Sequence, residues 1–122
     1  VAGSPPAAQF GRMAEDLALR YLQGQKLTLL ERNFRSRFGE IDLIMRENHT
    51  IIFVEVRARK TNAFMHPVES VNSTKRAKIR KTSQVFMQKN NTLARFDLRF
   101  DVVALTGGEA RGMKIEWLKA AF

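Results

Sequence analysis

Between Gly39 and Arg59 the chain reads GEIDLIMRENHTIIFVEVRAR, two strand-like stretches joined by the polar turn Glu47-Asn48-His49. Short apolar runs on either side of such a turn predict a β-hairpin. Each stretch also carries an acid where an apolar residue would bury more easily. Asp42 lies within Ile41-Asp42-Leu43-Ile44, and Glu55 ends the run Ile51-Ile52-Phe53-Val54. A carboxylate beside a core is expensive unless a cation compensates it.

The flanking sequence predicts what surrounds the hairpin. Phe10, Met13, Ala14, Leu17, Ala18, Tyr21 and Leu22 follow the i, i+3, i+4, i+7 spacing of an amphipathic helix over about residues 8–23, with Gly24 as its stop. A strand is expected over 27–35, then a basic turn closed by Gly39. The hairpin strands are expected over 39–45 and about 50–59, and a loop over 60–71. Asn72-Ser73-Thr74 offers N-cap residues for a second helix reaching about Lys89. Its apolar side is thin: Ala77, Ile79, Val85, Phe86 and Met87. Strands over 96–106 and 113–118, separated by a turn at Gly107-Gly108, complete the order αβββαββ. That order indicates an α/β or α+β domain built on one mixed sheet.

At 122 residues a single domain, 1–122, is expected, with residues 1–7 as a flexible N-terminal segment. The chain has no cysteine, which excludes disulfides, thiolate metal sites and Cys nucleophiles, and which suits a cytoplasmic protein. Runs such as Ile51–Val54 are far too short to span a bilayer. Val1-Ala-Gly-Ser-Pro-Pro has no basic or apolar segment of the kind a secretory signal needs. The net charge is +9. From Ser70 to Phe96 the chain holds Lys75, Arg76, Lys78, Arg80, Lys81, Lys89 and Arg95 with no acid between them. A polyanion is the natural partner of such a surface; a membrane is not, because the segment lacks a wide apolar face.

Strand alternation puts Phe53, Glu55 and Arg57 on one face of the third strand, with Val54, Val56 and Ala58 on the other. In a suitable hairpin register Asp42 comes close to Glu55. Two carboxylates and the backbone carbonyl of Val56 then supply three oxygen ligands for Mg²⁺ or Mn²⁺, leaving positions for water and phosphate. The plainer alternative is that Asp42 and Glu55 simply pair with Arg57 and Arg59. Glu15, on the border of the first helix's apolar face beside Gly11, is the third candidate acid, equally readable as a solvated flank. Lys75, Arg76 and Lys78 crowd the first turns of the second helix, where the helix dipole disfavours cations unless a phosphate docks there. His49 and His66 sit in turns without ligand-spaced partners and read as surface residues.

These residues carry a resemblance. Glu15, Asp42 and Glu55-Val56-Arg57 resemble the PD-(D/E)XK nuclease superfamily, archaeal Holliday-junction resolvases in particular. Gly11-Arg-Met-Ala-Glu15-Asp, Asn33-Phe-Arg35, Gly39-Glu-Ile-Asp42-Leu-Ile44, Phe53-Val-Glu55-Val-Arg57-Ala-Arg59, Lys75-Arg76 and Arg99-Phe-Asp101-Val-Val103 are more closely similar to the bacterial YraN-type family of nuclease-like proteins. The resemblance implies a restriction-endonuclease-like αβββαβ core: one mixed central sheet flanked by helices. It also implies metal ligands at Asp42 and Glu55, with Glu15 assisting. Arg57 stands where that superfamily usually has lysine. Arginine cannot shed its proton near neutral pH, so it suits holding a phosphate rather than general-base work.

The expectation is a Mg²⁺- or Mn²⁺-dependent endonuclease acting on structured or branched DNA. Glu15, Asp42, Glu55 and Arg57 form its catalytic set, and Arg35, Arg37, Arg59, Lys75, Arg76 and Lys78 are its nucleic-acid contacts. DNA is favoured over RNA, and a homodimer would place two sites on one junction. The alternatives are a non-catalytic nucleic-acid-binding module of the same fold and an adaptor whose basic face docks an acidic protein.

Overall fold

The computed structural model describes residues 7–59, 66–107 and 112–122. The elements are α1 (Ala7–Gly24), β1 (Thr28–Ser36), β2 (Gly39–Glu47), β3 (Thr50–Arg59), α2 (Ser73–Lys89), a short 3₁₀ turn (Asn91–Leu93), β4 (Asp97–Thr106) and β5 (Lys114–Leu118). They form one five-stranded sheet in the order β1-β2-β3-β4-β5. Only β3 and β4 pair in parallel, and α2 lies in the connection between them, as a parallel pair requires. The remaining neighbours are antiparallel. This mixed α/β arrangement is consistent with the restriction-endonuclease-like core expected from the sequence.

The two helices cover opposite faces. Ala14, Ala18 and Leu22 of α1 pack against Leu43, Met45, Ile52, Val54, Val103 and Leu105. Ile79 and Phe86 of α2 pack against Ile44, Ile51, Phe53 and Val102. The central strands are therefore buried on both sides, which explains why β3 reads as a continuous apolar run rather than an alternating one.

Several local features differ from the sequence expectation. Met13 is 42% exposed, so the buried stripe of α1 is narrower than its apolar spacing suggests. On α2, Ala77 is exposed while Thr82 and Ser83 turn inward. Their hydroxyls are satisfied locally: Thr82 Oγ1 lies 3.0 Å from Ser36 Oγ, and Ser83 Oγ donates to the Arg80 carbonyl. Small polar residues so satisfied let the helix approach the start of β2. There Gly39 adopts φ +154°, with room for a Cβ only against Lys78 and Thr82. The expectations for residues 1–6, 60–65 and 108–111 lie outside the described residues, and α1 already includes Ala7. Among the described residues no helix is long and apolar enough to cross a membrane.

Candidate functional site

The two inner strands part at Asp42. Pairing of β2 with β3 runs from Glu47↔Thr50 to Leu43↔Val54. One residue further on, the Asp42 carboxylate itself accepts the Val56 N–H at 2.8 Å. Facing also reverses here: Leu43 belongs to the α1-side core, and Ile41 to the α2-side core. Opposite Asp42 in β1, between the pairs Arg32↔Leu43 and Phe34↔Ile41, stands Asn33 with φ +55°. A left-handed residue flips the side chains of its strand, and asparagine tolerates that conformation better than most. Phe34 consequently joins the α2 side while Arg32 reaches α1. The N–H and C=O of one strand residue point to the same side. The Val56 carbonyl is therefore directed towards Asp42.

Glu55 is 4% exposed and points to the α2 side with Phe53. Its Oε2 lies 2.6 Å from Lys75 Nζ and 3.5 Å from Arg57 Nη1. Asn72 caps α2 by accepting the Lys75 N–H, which sets Lys75 one turn into the helix and over β3. Arg57 is anchored elsewhere, with Nε donating to Ser70 Oγ at 3.0 Å and Nη2 to the Ser70 carbonyl at 3.4 Å.

Among the described residues no cation pairs with Asp42. Burial pushes its carboxyl up to about 8, the neighbouring Glu55 charge adds to the rise, and the Val56 N–H only partly offsets it. Glu15 contributes a smaller push in the same direction. Asp101, fully buried in β4, is the instructive contrast. It receives Arg99 Nε and Nη2, Trp117 Nε1 and the Ala120 N–H, each at 2.9 Å. Asp101 is a saturated structural acid that ties β5 and the C-terminal turn to the sheet. Asp42, half-buried beside a second carboxylate, is not saturated.

Asp42, Glu55 and Lys75 line two cavities. The larger, about 550 Å³, opens towards Asn72, Thr74 and Lys78 of α2. The smaller, about 290 Å³, opens towards Gly11 and Glu15 of α1 and includes Val56 and Arg57. Glu15 thus reaches the same site, although its nearest partner is Arg32 Nε at 3.4 Å. Among the described residues no group of three His, Cys, Asp or Glu side chains is placed to hold a metal ion. Two adjacent carboxylates, a carbonyl and a water-accessible cavity nonetheless fit Mg²⁺ or Mn²⁺, which commonly take one or two protein carboxylates and complete their shell with water and phosphate.

The remaining candidate cations divide. Lys78 lines the larger cavity and, with Arg37, Phe38 and Lys81, a neighbouring groove of about 590 Å³ that contains no acid. Arg35 lies 2.6 Å from Glu40, Arg59 Nε donates to Thr106 Oγ1, and Arg76 binds the Val71 and Val68 carbonyls. Glu40, and with it Arg35, thus adjoins the larger cavity, whereas Arg76 is turned to backbone carbonyls. Sequence reasoning misses Ser70 as the anchor of Arg57 and Asn33 as the distortion facing Asp42, and it reads Lys81 as part of the basic run without singling it out for the groove. The alternating strand pattern hides the Asn33 flip. His49 and His66 are surface residues, as expected. His49 Nε2 lies 3.0 Å from the Arg95 carbonyl, and His66 Nδ1 accepts the Val68 N–H.

Comparison with known proteins agrees with the YraN-type resemblance. A UPF0102 protein of Pseudomonas putida (strain KT2440) is 43% identical over 121 residues, covering 99% of this chain and 96% of that protein. One of Nitrosomonas europaea is 43% identical over 116 residues, with 95% of each chain covered. Another, of Vibrio parahaemolyticus, is 42% identical over 113 residues, or 93% and 91% of the two chains. Residues 14–105, which span Glu15, Asp42, Glu55, Arg57 and Lys75, match the family described as "Uncharacterised protein family UPF0102", and the chain belongs to that family.

Proposed function

We propose that this protein is a Mg²⁺- or Mn²⁺-dependent endonuclease that hydrolyses phosphodiester bonds in structured or branched DNA. The observation that carries this reading is the contrast between two acids. Asp101 is saturated by four donors, whereas Asp42 is held beside Glu55 with the Val56 N–H and, among the described residues, no paired cation, in a cavity that Lys75 and Lys78 also line. Such an arrangement costs stability unless a ligand uses it.

Asp42, Glu55 and the Val56 carbonyl would hold the metal, whose chemistry is to activate a water and to offset charge on the phosphate. Arg57, fixed by Ser70, offers a permanently charged donor to the scissile phosphate. Glu15 faces the site from the α1 side and can orient a water there. Lys78, Lys81 and Arg37 form a sequence-independent track for the backbone.

The test is cleavage of linear, flapped, four-way-junction and single-stranded substrates with Mn²⁺, with Asp42→Ala purified in parallel. Loss of one ligand should reduce turnover by at least about two to three orders of magnitude. Equal cleavage by both proteins defeats the catalytic assignment. A non-catalytic nucleic-acid-binding module is the second reading. It is favoured by Lys75 already neutralising Glu55 and by Arg57 in place of a lysine. DNA binding without cleavage of any substrate would select it.

A further inference from the structure

Glu55 is held by two cations of very different character. Arg57 approaches at 3.5 Å and is fixed from behind by Ser70 through both Nε and Nη2. Lys75 approaches at 2.6 Å, and among the described residues its side chain is paired with Glu55 alone. Its side chain is 42% exposed and lines both cavities beside the carboxylates. A compact ammonium on a flexible stem thus supplies the closest positive charge to a carboxylate that is 4% exposed.

We propose that Lys75 is an exchangeable counter-cation: it neutralises Glu55 in the metal-free protein, leaves when a divalent cation binds, and then becomes a phosphate contact. This rests on the metal-site reading above. Lys75, rather than Arg57, is the group displaced, because the Arg57 side chain is also held by two hydrogen bonds to Ser70, whereas among the described residues the Lys75 ammonium is held by Glu55 alone. The released ammonium stays in the larger cavity beside Lys78, which is exposed and has no acidic partner among the described residues. Metal and phosphodiester then each favour the other's binding, by one reciprocal coupling. The same exchange holds the carboxylates closed to metal when no polyanion is present.

The test uses two binding measurements on the full chain, neither of which requires turnover. In the first, Mn²⁺ is titrated into protein without nucleic acid. Lys75→Met should bind Mn²⁺ roughly tenfold more tightly than wild type, whereas Lys78→Met, which removes a cation not in contact with Glu55, should stay within about twofold. Lys75→Gln, which keeps a donor to Glu55 without the charge, should show the same gain and guards against misfolding of the methionine variant. In the second, anisotropy of a labelled phosphorothioate duplex is followed with and without saturating Mn²⁺ at matched ionic strength. Lys75→Met should match wild type without metal and bind more weakly with it; Lys78→Met should bind more weakly in both. If wild type binds Mn²⁺ but the Lys75 variants gain no affinity, or lose DNA affinity equally in both conditions, the exchange is overturned while the metal site stands. If no protein binds Mn²⁺, with or without the duplex, the metal reading falls and takes the exchange with it.

Discussion

Asp42 Oδ2 accepts the Val56 N–H at 2.8 Å, taking the place of a backbone partner one step beyond the last β2–β3 pair. A side chain thereby closes a gap that the sheet leaves open, and the gap is where the candidate site lies.

Stability should depend on pH through Asp42. Its carboxyl sits at about 8 in the folded chain, against 3.8 ordinarily, so the folded state retains a proton that the unfolded state releases between those values. The unfolded state therefore binds fewer protons across that window, and stability falls as pH rises from about 4 to 8. Asp42→Asn should remove this slope and raise stability by at least about 1 kcal/mol at pH 8, as measured by urea unfolding at several pH values. Equal slopes in the two proteins would exclude Asp42 as the source.

Asn33 should tolerate glycine and resist β-branched residues. At φ +55°, Asn33→Gly is expected to change stability by less than about 0.5 kcal/mol, and Asn33→Val to cost about 1–2 kcal/mol despite its higher strand propensity. Thermal unfolding separates the two, and a stabilising valine would contradict the flip.

Asp101 should behave as structure alone. Asp101→Ala leaves Arg99 without its bidentate partner and Trp117 Nε1 without an acceptor, at a cost of about 3 kcal/mol. Mn²⁺ affinity of the folded fraction should not change. A variant that keeps its stability but loses metal binding would move the site to β4.

Arg57→Lys should preserve or improve cleavage if the group only clamps phosphate. Loss of the Ser70 contacts would cost little turnover, because lysine still supplies a point charge. A fall of more than about a hundredfold would show that the fixed guanidinium geometry matters to the transition state.

The strands and their order were legible because apolar runs of strand length, a polar turn and the Asn72 cap are local signals. Asp42 and Glu55 were legible for the opposite reason, as charges where burial is costly. Lys75 was legible as a phosphate contact in a basic helix, but not as a partner of Glu55. Its contact with Glu55 crosses the connection from β3 to α2, and no local pattern encodes it. The inward turn of Thr82 and Ser83 was hidden because their burial depends on Ser36 and on a helix carbonyl, not on hydropathy. The reversal at Asn33 and Asp42 was hidden because a period of two assumes an unbroken pleat.

Whether Asp42 and Glu55 together hold a divalent cation is decided by titrating Mn²⁺ into folded wild type, Asp42→Ala and Glu55→Ala in the presence of DNA. Wild type should bind saturably, and more tightly as pH rises towards 8, since the metal must displace the Asp42 proton. Each variant should lose that binding with the fold intact. Folded wild type without saturable Mn²⁺ binding, or binding left unchanged by both substitutions, would contradict a metal site at these two carboxylates.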